Sequence, residues 1–336
     1  MNSILNFFSY LVIFLPVALV TGPFISDLIV STSAIFFLVY SIKNNNYSYF
    51  NNLFFKLFIV FWICIIVSAS FSNEILVSLK SAVPYIRFPL FVLFVLFLVY
   101  ETKNFLSKFT ISFIIFYCFV LFDSYFQFIF GFNILGFESP VENRISSFFG
   151  DEMVVGSFLS RLFPLVLFSI LYLSKKYFQN IKYLSPILLI LVDVIIFLSG
   201  ERTSFGILLI INFGFIILIS QMKYIRIVTF IISVILIVLI SISNNKVKDR
   251  MIDQTMKDIG LKENQTYLFS TIHQDHYETA YKIFKDNILI GAGPKMFRYE
   301  CSKKEFQSGK YSCTTHPHHL HLQILSETGV LGYLFV

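Results

Sequence analysis

Runs of about twenty predominantly apolar residues recur along this chain and constrain its fold more than any other feature. A helix needs roughly 20 such residues to cross the hydrocarbon core of a bilayer. Hydrophobic residues make up 56% of the chain and charged residues only 14%, so a polar surface cannot cover the protein in water. The complete runs lie near residues 4–20, 24–42, 53–71, 82–100, 109–130, 157–174, 183–199, 203–220 and 224–243.

A long polar segment follows these runs, and a tenth apolar run begins after it. Only helices and closed barrels satisfy the backbone inside lipid, and long unbroken apolar runs exclude the alternating strands of a barrel. We therefore predict an all-α, polytopic membrane helix bundle of about ten spans. It divides into a nine-span transmembrane bundle over 1–243, a large helical loop over 244–319 and the start of a further transmembrane helix over 320–336. Because that last run is still apolar at Val336, we expect the sequence to be a truncated fragment.

Lysine and arginine residues in the short loops predict the orientation of the bundle. With the N-terminus in the cytoplasm, the cytoplasmic loops are 43–56, 101–108, 175–182 and 221–226. These loops hold nine basic residues, Arg226 among them, whereas the opposite short loops hold three. The bias places the long polar segment outside the cytoplasm. The net charge of +6 follows from the same loops and gives no reason to expect a nucleic-acid partner.

The long polar segment has helical spacing of apolar residues at 244–260 and again at 275–287. Glycine and proline at 291–294 then predict a tight turn. Cys301 and Cys313 follow in the same segment, on the oxidising side of the membrane, so we expect a disulfide between them. Free thiols and zinc ligands are the alternatives.

Four of the six histidines lie between residues 316 and 321, at the end of the long segment. Pro317 breaks the backbone, so His316 and His318 are expected on a turn ahead of a helix. Neutral imidazole is the natural base for a hydroxyl at neutral pH, and the cluster therefore predicts general-base chemistry. A solvated loop end is the plainer interpretation. A zinc site is the third, although the spacing of the histidines and the two cysteines matches no common zinc pattern.

A polar turn, Ser199-Gly-Glu-Arg202-Thr-Ser204, separates the seventh and eighth apolar runs. Arginine is costly at membrane depth and is placed there for pairing or for binding anions. Its guanidinium fork suits phosphate oxygens. Arg202 is therefore a candidate phosphate ligand, and a plain interfacial anchor formed by Glu201 and Arg202 is the alternative.

Further charged residues lie within or at the ends of apolar runs, where an ionisable side chain is a functional-site candidate by default. These are Arg87, Asp123, Arg161 and Asp193. The two aspartates are candidate partners of the two arginines. Arg144, in the polar loop 131–156, is either a contact for an anionic group or a solvated loop residue.

The C-terminal part of the chain resembles a signature shared by O-antigen ligases and O-antigen polymerases. The residues that carry the resemblance are Lys285-Asp-Asn-Ile-Leu-Ile-Gly291-Ala-Gly293-Pro-Lys-Met-Phe297-Arg298-Tyr-Glu-Cys301, Cys313-Thr-Thr-His316-Pro-His318 and Leu322-Gln-Ile-Leu-Ser-Glu327-Thr-Gly329. The turn at 199–202 is similar to the outer-face arginine turn of these proteins. The many spans with one large late loop also fit.

This resemblance implies a glycosyltransferase of the bacterial inner (cytoplasmic) membrane with its active site facing the periplasm. The donor would be a glycan on undecaprenyl pyrophosphate. The acceptor would be a sugar hydroxyl, on lipid A–core for a ligase or on another repeat unit for a polymerase. The family's catalytic histidine matches His318 and its phosphate-binding arginine matches Arg202. His316 is the runner-up base, or the neighbour that orients the base.

The chain departs from the family pattern at several positions. His319 stands where asparagine is usual, and His321 stands where tyrosine is common. Many members have an arginine shortly before the helix predicted at 275–287, where this chain has His273 and His276. We therefore expect Arg298 or a protonated His273 to be the second ligand of the diphosphate.

The implied reaction is direct displacement at the anomeric carbon with inversion, a histidine base and cations that hold the departing diphosphate. It uses no metal ion or other cofactor, and its remaining partners are membrane lipids. Ligase, polymerase and protein O-glycan transferase share the motif, and we take the ligase reaction first. A flippase of lipid-linked glycans would show inverted repeats and broken spans at matching positions, and none is evident. The histidine cluster argues against a non-catalytic scaffold.

Overall fold

The computed structural model of the chain describes residues 2–141, 144–176, 181–258 and 269–336. Short parts of the predicted loops at 131–156 and 175–182 lie outside these residues. The described residues form helices, turns and one isolated antiparallel bridge between Phe132 and Glu138, without a β-sheet, so the predicted all-α class is confirmed. The helices are α1 (Asn2–Ala18), α2 (Pro23–Lys43), α3 (Leu53–Ser70), α4 (Ile75–Ala82), α5 (Arg87–Glu101), α6 (Phe105–Phe130), α7 (Val155–Lys176), α8 (Ile181–Leu198), α9 (Arg202–Leu218), α10 (Lys223–Ser243), α11 (Asn245–Lys248), α12 (Gln254–Asp258), α13 (Thr271–Asp286), α14 (Phe297–Glu300) and α15 (Leu320–Tyr333).

The apolar runs coincide with helices of the structure. Among the residues that the structure describes, six helical segments are long and apolar enough to cross a membrane: Pro23–Lys43, Leu53–Ser70, Ile75–Glu101, Phe105–Phe130, Val155–Lys176 and Lys223–Ser243. The helices α1, α8 and α9 are apolar as well but shorter. The chain is thus a multi-pass membrane protein, while the total of ten spans stays a prediction.

The long polar segment is helical over much of its described length. The helix predicted at 244–260 corresponds to α11, a π-helical turn at Asp249–Asp253 and α12, and residues 259 and 260 lie outside the described residues. The helix predicted at 275–287 is α13, which begins earlier, at Thr271.

The helices group into two compact units, each built from two distant parts of the chain. The first unit comprises Met1–Ile29 and Thr102–Met256, and the second comprises Val30–Glu101 and Lys257–Val336. The division predicted from the sequence used consecutive segments of the chain. It could not show these two units, because they depend on which helices pack together.

The first unit packs helices α6 to α10 around a large apolar core that contains a buried ion pair. Arg226 Nη2 lies 2.6 Å from Asp193 Oδ1, and both side chains are fully buried. Arg226 Nε donates to Asn212 Oδ1 at 2.8 Å, and Ser233 Oγ donates to Asp193 Oδ2 at 2.9 Å. The sequence-based placement of Arg226 in a cytoplasmic loop is therefore wrong: α10 begins at Lys223, so this arginine lies inside the helix.

Asp123, the other buried aspartate of this unit, holds the loop that follows α6. Its carboxylate accepts hydrogen bonds from the Ile134 N–H at 2.8 Å and from the Ser147 hydroxyl. Asp193 is therefore paired with Arg226, and Asp123 is bound by the loop after α6. The prediction that Arg87 and Arg161 are the partners of these aspartates is wrong, because the packing of the helices decides which charges meet.

In the second unit, α15 is interrupted at Gly329, whose φ of 62° and ψ of −168° are not helical. Backbone hydrogen bonds of 2.8 to 3.2 Å join residues 288–293 to residues 326–331 around this break. A Cβ atom at Gly291 would lie 2.4 Å from the opposite backbone, and one at Gly329 would lie 2.3 Å from it. Only glycine allows such a close crossing. The tenth apolar run therefore forms two short helical pieces around a backbone crossing.

Candidate active site

Within the described part of the second unit, four imidazole rings meet. His316 and His318 come from the turn before α15, whereas His273 and His276 come from the start of α13. The ring centroid of His318 lies 4.1 Å from that of His316, 5.5 Å from that of His276 and 5.7 Å from that of His273. His318 is thus the ring that approaches the other three.

The backbone of His318 is held in an uncommon conformation. Its φ of 56° lies in the left-handed region, which non-glycine residues adopt at a cost of about 1–3 kcal/mol. The preceding Pro317 is buried, and its ring disfavours the helical region for His316. Backbone strain of this kind persists only where the surroundings enforce it, and it clusters at functional sites.

A disulfide fixes the chain ahead of this turn. Cys301 and Cys313 are bonded, with their Cα atoms 4.9 Å apart. Cys301 belongs to a small buried apolar cluster with Phe297 and Phe306. The bridge therefore ties the residues that lead to His316 to the core of the second unit.

Asp275, which lies between the two imidazoles of α13, fixes the same loop from the other side. Its Oδ2 accepts a hydrogen bond from the Tyr311 N–H at 2.9 Å. Gly309 packs so closely that a Cβ atom there would lie 2.3 Å from Asp275 Oδ1. Ser312 Oγ in turn accepts from the Gly309 N–H at 2.9 Å. The start of α13 thus supplies two imidazoles and anchors the loop that leads to the other two.

The surroundings keep His318 neutral at neutral pH. Partial desolvation by its neighbours lowers the pKa of His318 below the ordinary value of 6.5, although much of the residue stays exposed, and charge on His316, His276 or His273 lowers it further. Burial also lowers the pKa of His276, as do His273 and His316, while Asp275 acts in the opposite direction. A neutral imidazole can accept a proton from a hydroxyl. The His318 side chain is also exposed, so a substrate can reach it.

The other two histidines of the motif have partners within α15. His319 is the N-cap residue, and its Nδ1 accepts from the Leu322 N–H at 3.4 Å. His321 Nδ1 lies 3.3 Å from the Tyr333 hydroxyl. His319 and His321 are thus engaged by groups of α15 itself.

A cavity of about 1090 Å³ lies next to His316 in the second unit. Aromatic and aliphatic side chains of α3, of α15 and of residues 334–336 make up half of its lining residues. Its polar residues include Lys295, Arg298, Thr315, Gln323 and Glu327. Glu327 is buried, and its Oε1 accepts from the Phe297 N–H at 3.4 Å. An apolar cavity with a few convergent polar groups is the usual form of a ligand site.

Arg202 is the first residue of α9, in the first unit. The adjacent Glu201 binds the start of α7: its Oε1 accepts from the Gly156 N–H at 2.7 Å, and its Oε2 accepts from the Ser157 N–H at 3.0 Å. A carboxylate is favoured at a helix N-terminus. Arg202 Nη1 donates to Thr255 Oγ1 at 3.4 Å. The turn is therefore fixed to two neighbouring elements of its unit.

The structure brings three of the site residues named from the sequence, His273, His316 and His318, into one cluster. Arg298 lines the cavity that His316 also lines. Arg202 belongs to the first unit, with the neighbours described above.

The structure places two further residues, His276 and Glu327, at the candidate site or in the cavity beside it. His276 is buried beside His318, and its Nδ1 has no hydrogen-bond partner among the described residues. Its spacing from His273, three residues along a helix, could have indicated that the two rings are neighbours. Glu327 was assigned no role from the sequence, although an ionisable residue inside an apolar run is itself a signal.

The arrangement of the side chains bears on whether the site could hold a metal ion. Over the described residues, no group of three or more His, Cys, Asp or Glu side chains is arranged to hold a metal ion. Because Cys301 and Cys313 are bonded to each other, they cannot supply the thiolates of a zinc site.

Comparison with known proteins bears on the C-terminal part of the chain, which carries the Arg202 turn and the histidine cluster and is less than half of the sequence. Residues 186–336 match the family model described as O-antigen ligase. The match contains both the Arg202 turn and the histidine cluster, and over these residues the resemblance noted from the sequence is confirmed. The family is one of membrane enzymes related to glycosyl transfer. No curated protein and no solved structure matches the chain.

Proposed function

We propose that this membrane protein transfers a glycan from undecaprenyl pyrophosphate to a sugar hydroxyl of lipid A–core at the periplasmic face of the inner membrane. The observation that carries the proposal is the approach of three imidazoles to His318, on a turn that a disulfide and Asp275 hold in place. The match of residues 186–336 to O-antigen ligases supports the same reaction.

In this proposal His318 is the general base. The proton of the acceptor hydroxyl moves to His318 while the hydroxyl oxygen bonds to the anomeric carbon of the donor. The bond from that carbon to the diphosphate oxygen breaks, and its electron pair leaves with the diphosphate. Because the displacement is direct, the configuration at the anomeric carbon inverts. His316, whose ring centroid is 4.1 Å away, orients His318 and is the second choice as base.

Negative charge develops on the diphosphate as it departs, so the reaction needs cations at that position. Arg202 is our candidate for the main diphosphate ligand, because a guanidinium binds phosphate oxygens in pairs. Arg298 and a protonated His273 are secondary candidates. With cations in this role the reaction is proposed to be independent of metal ions. The large apolar cavity would hold a lipid portion of a substrate.

The central test is His318→Ala in protein reconstituted into liposomes with a lipid-linked glycan and lipid A–core. Transfer should fall by at least about 100-fold, the low end for loss of a general base, while expression and membrane insertion stay unchanged. His321→Ala is the matched control and should transfer normally. If His316→Ala alone abolished transfer, the base would be His316. Full activity of both His318→Ala and His316→Ala would refute the proposal.

Two further experiments separate the neighbouring reactions. In a deletion strain, loss of all O-chain from the core indicates a ligase, whereas a single repeat on the core indicates a polymerase, which is the second candidate because it shares the motif. Transfer should also survive EDTA. Loss of transfer in EDTA and its recovery with zinc would instead make the histidine cluster a metal site.

A further inference from the structure

We infer that His276 is the positioning residue of the base: its Nδ1 accepts a hydrogen bond from the N–H of His318 and so fixes which nitrogen of His318 takes the proton. This inference rests on the proposed function, in which His318 is the base, and extends it. His276 acts through His318 and does not touch the substrate.

His276 brings a buried nitrogen without a partner to the side of His318. The residue is only 5% exposed, and its Nδ1 has no hydrogen-bond partner among the described residues. A buried nitrogen that is left unpaired costs free energy, and such an atom in a native protein calls for an explanation. A donor that reaches this nitrogen during the reaction supplies one.

The rings of His276 and His318 lie at a separation that suits a hydrogen bond between them. Their centroids are 5.5 Å apart, and their planes meet at 31°. Facing nitrogens of two imidazoles with this centroid separation come within hydrogen-bond reach. The two rings are not bonded to each other in the described part of the chain. Catalytic hydrogen bonds are often misaligned without a substrate, however, and tighten once it is bound.

The other two rings beside His318 are less suited to this role. His316 Nδ1 lies 3.0 Å from the Thr315 hydroxyl, which already engages that nitrogen. His273 is exposed and stacks on Tyr277, with the two ring planes 14° apart. Among the three rings, His276 is the one that combines burial with an unpaired nitrogen.

Both members of the pair are fixed to the same apolar core. Further along α13, Ile283 belongs to the buried cluster that contains Cys301. The disulfide joins Cys301 to Cys313, which leads into the turn that carries His318. The position of His276 relative to His318 is therefore held by packing on one side and by a covalent bond on the other. Such preorganisation is what an orienting group requires.

The pair resembles the base and the orienting group of a catalytic triad. With its proton on Nε2, neutral His276 presents a lone pair at Nδ1. The N–H of His318 donates to that lone pair, which leaves the other nitrogen of His318 to take the proton of the acceptor hydroxyl. As the O–H bond breaks and the oxygen bonds to the anomeric carbon, His318 becomes an imidazolium. Its hydrogen bond to His276 then strengthens, because the donor is charged, and the proton stays on His318.

This arrangement needs both histidines in their neutral forms, because protonated His276 has no lone pair at Nδ1. The titratable groups that act on His276 are His273 and Asp275 on α13 and His316 on the turn before α15. Asp275 raises the pKa of His276, whereas desolvation and the two imidazoles lower it. When two groups must both be deprotonated, the logarithm of kcat falls with a limiting slope of about two at acid pH, and a single base gives about one.

The test compares substitutions of His276 in the reconstituted transfer assay. His276→Leu removes the acceptor and should lower kcat by about tenfold to a hundredfold, the range for a hydrogen bond to a charged group. KM should not change, because His276 does not touch the substrate. His276→Asn keeps an acceptor oxygen at the place of Nδ1 and should recover most of the rate. His276→Gln, whose amide reaches the place of Nε2, should not recover it.

Thr279→Val is the matched control for a change inside α13. Thr279 lies three residues after His276 on the same helix, is buried, and has a hydroxyl without a partner among the described residues. This variant should keep the kcat and the acid limb of the wild type. Melting temperatures show which variants are folded. If His276→Leu does not fold, the comparison of His276→Asn with His276→Gln decides, and equal kcat in these two would overturn the inference.

The acid limb is a readout that a purely structural role of His276 would not move. Its limiting slope should be about two in the wild type and about one in His276→Asn, whose amide does not titrate. His321→Asn should keep the slope of the wild type. An unchanged slope in His276→Asn, or wild-type kcat in folded His276→Leu, overturns the inference, and the proposed function stands if His318→Ala has lost transfer. Full transfer by His318→Ala overturns both.

Discussion

In the first unit, all three nitrogens of Arg226 donate hydrogen bonds, and Asp193 beside it is fully buried. In the second unit, the imidazoles of the cluster lie 4.1 to 6.2 Å apart between ring centroids, and no hydrogen bond joins two of these rings in the described part of the chain. The Arg226–Asp193 group has no free donor with which to bind a ligand, whereas the histidine cluster has ring nitrogens that a substrate can hydrogen-bond. The contrast indicates that complete pairing of buried charge marks a structural site and incomplete pairing marks a chemical one.

The largest effect on stability should come from breaking the buried Arg226–Asp193 ion pair. Asp193→Leu leaves the charge of Arg226 buried and unpaired, which costs about 3–5 kcal/mol in the free energy of unfolding. The double variant Asp193→Leu/Arg226→Met should recover most of this loss, since both charges are then absent. Unfolding of the purified protein by SDS, in matched detergent, measures both. A double variant that is folded but inactive would contradict the purely structural role of the pair.

Loss of the disulfide should have the next largest effect, because the bridge fixes the turn that carries His316 and His318. The double variant Cys301→Ser/Cys313→Ser should lose about 3 kcal/mol of stability in the chain-entropy model, together with most transfer activity. Cys64→Ser/Cys118→Ser, which changes the two free cysteines of the described chain, is the control and should retain both. Transfer that is insensitive to the loss of the bridge would show that the turn of His318 holds without it.

The backbone crossing at Gly329 gives a smaller effect. Gly329→Ala places a Cβ atom 2.3 Å from the opposite backbone, at a φ of +62°, and overpacking of this kind costs about 1–3 kcal/mol. Gly214→Ala is the control, since nothing lies within 4 Å of its added Cβ atom. Thermal unfolding should separate the two variants. Equal melting temperatures would mean that the crossing can open without cost.

The sequence predicted the helices well because a span of apolar residues is a local property. The clustering of His316 and His318 was equally visible, since both lie on one turn. The approach of His273 and His276 was not, because it depends on how α13 packs against α15. Arg226 was misplaced for the same reason: its partner lies on another helix, and a basic residue three positions into a helix reads as part of the loop.

The two arginine environments extend this lesson. Arg202 was found from its type and its position between two apolar runs. Arg250 was not assigned to it, because it comes from a distant segment and donates to the Gly200 carbonyl only in the folded first unit. Residues that belong to one short motif can be recognised from sequence, whereas residues that join it from elsewhere need the structure.

The smallest expected effect concerns the pH dependence of transfer. A base works in its neutral form, so activity should fall as the pH drops through the pKa of His318. Because burial and the neighbouring imidazoles lower that pKa below 6.5, transfer should persist below pH 6.5 in the wild type.

His316→Gln tests the contribution of the neighbouring ring. It removes a charge that lowers the pKa of His318, so that pKa should rise towards its ordinary value and the acid limb of the pH–rate profile should move to higher pH. His318 is neutral at pH 8 in both proteins, so a lower rate there measures the loss of the orienting contact of His316 and is separate from the shift of the limb. His321→Gln, whose ring lies beside Tyr333 instead, should leave the limb in place. A shift of the limb to lower pH would contradict the role of the cluster, and loss of transfer at every pH would make His316 the base.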